Sequence, residues 1–225
     1  MYRLVPFSQI KENSRILIPE IAEDNIGLEC LLMYCVENDI ETYSSCGDVR
    51  PYIDFIINDN TKNILYTLSS LLINSQDVRE YISVKLGSID GNNICRISYY
   101  DNDKFNIYEF FDIINNSLKK AITKDNCNIE LWDSINNVVK DISKYEFDNY
   151  LEVFNSPDID NMEDNYTYSL TIHSTNYRKI HDFQTKHFPY LRQEYKNQCY
   201  NNYTIGYYTD EVDTLLTRKK LVRKK

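Results

Sequence analysis

Apolar residues recur at helical spacing in four places along the chain. Leu28, Leu31, Leu32, Cys35 and Val36 form one stripe behind the candidate caps Asp24 and Asn25. Ile64, Leu65, Leu68, Leu71 and Leu72 form a second behind Asn60 and Thr61, and Ile107, Phe110, Phe111, Ile114 and Leu118 a third behind Asp103. The fourth is Leu131, Ile135, Val138, Val139 and Ile142. A single apolar stripe gives a helix one face to bury, so each of these helices is expected to pack against another element.

Strand patterns fill the gaps. Tyr52 to Ile57 starts after Pro51 and stops at Asn58, Asp59 and Asn60. Tyr81 to Leu86 and Ile94 to Tyr100 flank Asp90-Gly91, a hairpin signal. A short strand is expected ahead of Ser44-Ser45-Cys46-Gly47, which reads as a tight turn, and another over Arg15 to Ile18. The order through residue 122 is α-β-β-α-β-β-α. It predicts an α+β fold, an antiparallel or mixed sheet with helices packed on one face, followed by a smaller α/β segment.

The second half has weaker punctuation. Asn149 to Asn165, with Ser156-Pro157 and many acids, reads as a loop or boundary. A strand is expected over Tyr166 to His173, a helix over Asn176 to Asn197 interrupted at Pro189, and a last strand over Tyr203 to Tyr208. The expected division is an α+β core at 1–124 and a helical and β segment at 125–225 ending in a basic tail, with one single domain as the alternative. Strand-then-helix units at 52–74, 94–122 and 166–197 hint at a repeat, but their side chains share too little to claim duplication.

Composition adds three points. The chain holds 26 Ile, 25 Asn and 20 Tyr against two Ala, a bias toward A/T-rich codons that points to a low-GC bacterium, its phage or a mobile element. The net charge is −9, yet the last eight residues carry six of the 25 basic groups and no acid, so residues 1–217 carry about −15. Such a body repels nucleic-acid backbone and attracts basic surfaces. The expected partner is a protein with a basic surface; nucleic acid is left only to the tail, through Arg218, Lys219, Lys220, Arg223, Lys224 and Lys225. Finally, no apolar run reaches the roughly 18–20 residues that cross a bilayer, and the N-terminus lacks the apolar core of a secretory signal, so a cytoplasmic protein without membrane contact is expected.

Candidate chemistry is sparse. The cysteines (Cys30, Cys35, Cys46, Cys95, Cys127 and Cys199) include no C-x-x-C pair and are expected to be reduced and mostly buried. His173, His181 and His187 lack metal-ligand spacing with one another or with Cys199, and no glycine-rich phosphate loop is present, so neither a metal nor a cofactor is expected. One catalytic alternative stands: Cys46, presented on a turn, with Asp48, Arg50 and Asp54 as acid, cation and hydrogen-bond partner. Against it, the preferred reading is that Ser44, Ser45 and Gly47 build a turn and Cys46 plugs the space beneath it. Strand alternation puts Tyr52, Asp54 and Ile56 on one face, which is expected to meet water and leave Asp54 solvated. Tyr99-Tyr100 and the crowded Tyr200, Tyr203, Tyr207 and Tyr208 are candidates for an interaction surface, because tyrosine combines a large apolar ring with a polar tip.

The run Ser44-Ser45-Cys46-Gly47 followed by a strand resembles the Ser-Ser-Cys turn of the tRNA wybutosine-synthesizing protein 3 family. That resemblance implies a SAM-dependent tRNA methyltransferase. It is confined to the turn and the strand after it. The family continues with Ser-Gly-Arg after the cysteine, whereas Gly47, Asp48 and Val49 follow here, and no match to the family's later histidine and glycine motifs is found. The reading carried forward is therefore a non-catalytic interaction or inhibitory protein with an acidic body, for instance one that blocks a nucleic-acid-binding host enzyme. The alternative is a small RNA-modifying or transfer enzyme built around the Ser44–Gly47 turn.

Overall fold

The computed structural model describes residues 5–47, 50–99, 107–123, 129–157, 164–174, 176–187, 194–197 and 202–209. Helices and antiparallel strands give the α+β class expected from the sequence. The chain divides into two compact units, one of residues 1–84 and 93–129, the other of residues 85–92 and 130–225.

The first unit opens with α1 (Phe7–Glu12), α2 (Ser14–Ala22) and α3 (Ile26–Glu37). The strand expected over Arg15 to Ile18 is the start of α2 instead. Two backbone N–H groups, of Ile16 and Leu17, donate to the Asn13 carbonyl at 3.0 Å, and Ile18 and Ala22, four apart, are the buried positions. One cation followed by three apolar residues is too short a run to separate period two from period 3.6. In α3 the expected stripe is buried through Leu28, Leu31, Leu32 and Cys35.

Next come β1 (Thr42–Cys46), β2 (Tyr52–Ile56) and α4 (Lys62–Ile73). The sequence places a turn at Ser44–Gly47, but Ser44, Ser45 and Cys46 are strand, paired antiparallel with Asp54, Ile53 and Tyr52. Tyr43 is the extra residue of a bulge between Thr42 and Ser44. β3 (Ile82–Ile89) and β4 (Asn92–Tyr99) follow, and the first unit ends with α5 (Ile107–Ile122). β4 pairs with the other side of β2, setting Phe55 opposite Cys95 and Asp54 opposite Arg96. Ile53, Phe55, Cys95 and Ile97 are fully buried, and Ser69 of α4 meets the Cys95 sulfur at 3.5 Å, so α4 covers that face. α5 packs on α3 and α4 through Phe110, Phe111, Ile114 and Leu118. Each such burial contributes roughly 1.5–3 kcal/mol before entropy is counted.

The second unit takes the tip of the β3–β4 hairpin. Asp90 and Gly91 both have positive φ, 48° and 78°, the two-residue turn that Asp-Gly favours. α6 (Ile129–Ser143), which starts at the boundary of the units, buries Trp132, Ile135, Val138, Val139 and Ile142 in the second unit. β5 (Asp148–Pro157) and β6 (Asp164–Ser174) pair antiparallel from Asp148↔His173 to Pro157↔Asp164. Much of the expected loop at 149–165 is therefore strand. Polar residues dominate it locally, but Asn149, Leu151 and Val153 alternate inward, and pairing with β6 outweighs weak strand propensity. α7 (Tyr177–His187) matches the start of the expected 176–197 helix, but Glu194–Asn197 forms β7, paired with β8 (Asn202–Thr209). The order β5-β6-β8-β7 completes this part of the sheet. Phe183 of α7 sits edge-on to Tyr145 and Phe147, and Lys179 bonds Glu146 at 2.6 Å, drawing that exposed carboxyl below its ordinary range.

Candidate functional site

A polar cluster that includes Asp54 but not Cys46 is built on three adjacent strands. Ser44 of β1, Asp54 of β2 and Arg96 of β4 lie in register, so their side chains share one face. Arg96 Nε donates to Asp54 Oδ1 and a terminal guanidinium nitrogen to Oδ2, both at 2.7 Å. Ser44 Oγ donates to Oδ2 at 2.6 Å. The guanidinium also lies over the Tyr52 ring, 4.4 Å from its centroid. Alternation placed Tyr52, Asp54 and Ile56 on one face correctly, but the expectation that Asp54 meets water is wrong: it is fully buried. Burial is tolerated because a bidentate guanidinium and a hydroxyl replace the water it gives up. The partner, Arg96, went unnoticed in the sequence because it lies 42 residues away.

The remaining candidates do not join this cluster. Arg50 is exposed on a bend, and Asp48 lies outside the described residues. Cys46 is half-buried at the end of β1. The next residue, Gly47, is packed against Asn25 and Leu28 of the α3 start, where Asn25 Nδ2 donates to the Gly47 carbonyl at 3.0 Å. Asn25 Oδ1 meanwhile accepts from Leu28 N at 3.0 Å and caps α3. One buried amide thus holds both the helix start and the end of β1.

A cavity of about 380 Å³ runs along β1, lined by all five of its residues and by Tyr52. Its other wall is α1, α2 and α3, contributing Ile10, Leu17, Ile21 and Leu32, with Val5 beside them and Glu20 and Glu23 at the rim. The volume falls in the roughly 300–1,000 Å³ range of ligand pockets, and the mix of apolar walls, hydroxyls and two carboxylates is chemically specific. Apolar spacing reveals neither α1 nor these acids, and it reads the start of α2 as strand. Their signal is a run without cations: Ile16 to Val49 holds no Lys or Arg and eight acids.

The other candidates are scattered. His173 lies on β6 and His181 and His187 on α7, with His181 exposed. Among the described residues no group of three metal-ligating side chains comes together. Tyr203, Tyr207 and Tyr208 are on β8, opposite Ser174, Leu170 and Ser169 of β6. Tyr100, Tyr200, Cys127, Cys199 and the basic tail lie outside the described residues. No described helix is long and apolar enough to cross a membrane.

The four described cysteines differ sharply in surroundings. Burial pushes the Cys95 thiol up to about 12, only partly offset by its Ser69 hydrogen bond and reinforced by the Asp54 charge, and burial raises Cys35 too. Iodoacetamide at mildly alkaline pH is therefore expected to modify exposed Cys30 first and Cys46 more slowly, leaving Cys35 and Cys95 untouched until the chain unfolds. Mass mapping of the modified peptides reads this out; early labelling of Cys95 would contradict its packing.

Comparison with protein-family models, with curated proteins and with solved structures gave no match. The likeness to the wybutosine-synthesizing turn thus rests on the four residues 44–47 alone, three of which are strand here.

Proposed function

We propose that this chain is a non-catalytic interaction protein whose acidic body docks on a basic surface of a protein partner. The observation that carries the reading is the cation-free run from Ile16 to Val49. It builds α2, α3 and β1, three consecutive elements of one compact unit, and leaves Glu20, Glu23, Asp24, Glu37 and Asp39 exposed. Of these, Asp39 is paired with Lys11. A surface on which acids outnumber cations in this way speeds encounter with an oppositely charged partner and selects against nucleic acid. The concrete form is an inhibitor that places its acids in the basic channel of a nucleic-acid enzyme, in keeping with a phage or mobile-element composition.

The transfer-enzyme reading around Cys46 has less support. Its hydrogen-bond partner would be Asp54, and both oxygens of that carboxylate already accept hydrogen bonds, from Arg96 and Ser44. Turning Asp54 to Cys46 means breaking a buried ion pair first.

The test is capture with the tagged full-length chain from extracts of the encoding cells, with and without nuclease. The expected result is a stoichiometric protein that survives nuclease and is released as salt rises from about 0.1 to 1 M, where the screening length falls from about 10 to 3 Å. Recovery of RNA or DNA without a protein would overturn the proposal.

A further inference from the structure

We infer that the cavity beside β1 is where the partner binds, and that its occupant is an extended protein segment alternating Lys or Arg with aliphatic residues. This rests on the proposed function and names its site. Three observations converge on that chemistry. The first is shape. The cavity follows the whole of β1, and among the described residues β1 has a strand neighbour on one side only, β2. A row of strand backbone beside a groove is the arrangement that accepts an added strand. The Tyr43 bulge disturbs the upper part of β1, so pairing falls to Ser44–Cys46.

The second is the apolar wall. Leu17, Ile21 and Leu32 face the groove, and an added strand turns every second side chain toward one side. An aliphatic residue at alternate positions meets that wall. The third is charge. Glu20, in the last turn of α2, and Glu23, the left-handed residue that ends that helix, are both exposed at the rim. An apolar wall edged by carboxylates is matched by an apolar residue flanked by cations. A purely basic segment leaves the wall wet, and a purely apolar one leaves both carboxylates without partners.

The experiment uses the full chain and two fluorescent peptides of equal length and charge. One alternates Lys or Arg with Leu or Val; the other replaces the aliphatic residues with Ser. The alternating peptide is expected to bind about tenfold more tightly or better, the worth of burying one aliphatic side chain. Amide shifts are expected to concentrate at Leu17–Glu23 and Thr42–Cys46. The double variant Glu20→Lys, Glu23→Lys, which changes exposed side chains only, is expected to weaken the alternating peptide by at least about tenfold. Ile21→Trp, which narrows the cavity, is expected to weaken the alternating peptide and leave the Ser-containing one unchanged. Equal affinity for the two peptides, shifts confined to other elements, or indifference to both variants would each overturn the site. Partner capture that is undiminished by Ile21→Trp would overturn it too, while leaving the acidic-surface function standing.

Discussion

Arg96→Met is expected to destabilise the first unit by about 3–5 kcal/mol, the cost of leaving a buried charge without its partner. Methionine keeps much of the length and apolar stem of arginine, so little is lost in packing. What is lost is the counter-charge of Asp54, a fully buried carboxylate left with the Ser44 hydroxyl alone. The reverse change costs less. Asp54→Asn leaves Arg96 without a charge partner, but that side chain is 24% exposed and can turn part of its guanidinium to water. The expected loss there is about 1–3 kcal/mol. Replacing both, Asp54→Leu with Arg96→Met, is expected to recover most of the stability, because an apolar pair removes the desolvation cost of both ions. Urea denaturation followed by circular dichroism and by hydrogen exchange of β2 amides measures the three variants. An Arg96→Met protein within about 0.5 kcal/mol of wild type would show that Asp54 is not held by this pair.

Gly87→Ala is expected to cost the second unit about 3 kcal/mol, the upper end of overpacking penalties. A Cβ at Gly87 would sit 2.6 Å from the Asn149 carbonyl oxygen and 2.7 Å from the Tyr150 ring. The ring can move; the backbone oxygen can move only by shifting β5. Gly91→Ala is the matched control. It meets nothing within 4 Å but keeps a φ of +78°, so it pays only the left-handed strain of about 1–2 kcal/mol. The one tryptophan, Trp132, is fully buried in the same unit, and its emission reports both transitions. A Gly87→Ala protein no less stable than Gly91→Ala would show that β5 yields easily.

The helices read most clearly from sequence because their information is local. Four apolar stripes, each with its own spacing, become α3, α4, α5 and α6. The Asp90-Gly91 hairpin was equally legible, since the turn residues themselves demand its backbone. What failed depended on distant partners. Ser44–Cys46 looks like a turn until Asp54 and Tyr52 are set beside it. Asn149–Pro157 looks like a loop until β6 pairs with it along its length. The fate of Asp54 could be inferred only from Arg96, a cation at the centre of the apolar run Ile94 to Ile97, just as Asp54 interrupts Ile53 to Ile57. Two opposite charges, each alone in a strand interior, are a usable sign of cross-strand pairing.

Asn25 carries a consequence for how the first unit assembles. Starting a helix is the costly step of making one, because several backbone angles are fixed for the first bond. Here the amide that steadies the first turn of α3 also holds the carbonyl of Gly47, 22 residues on. Starting the helix and closing that loop therefore reinforce each other, and loop closure at this separation is fast compared with forming sheets from remote strands. The segment from Asn25 to Gly47 is therefore expected to gain order early, with high φ-values for substitutions at Asn25, before β2 and β4 complete the sheet beside it.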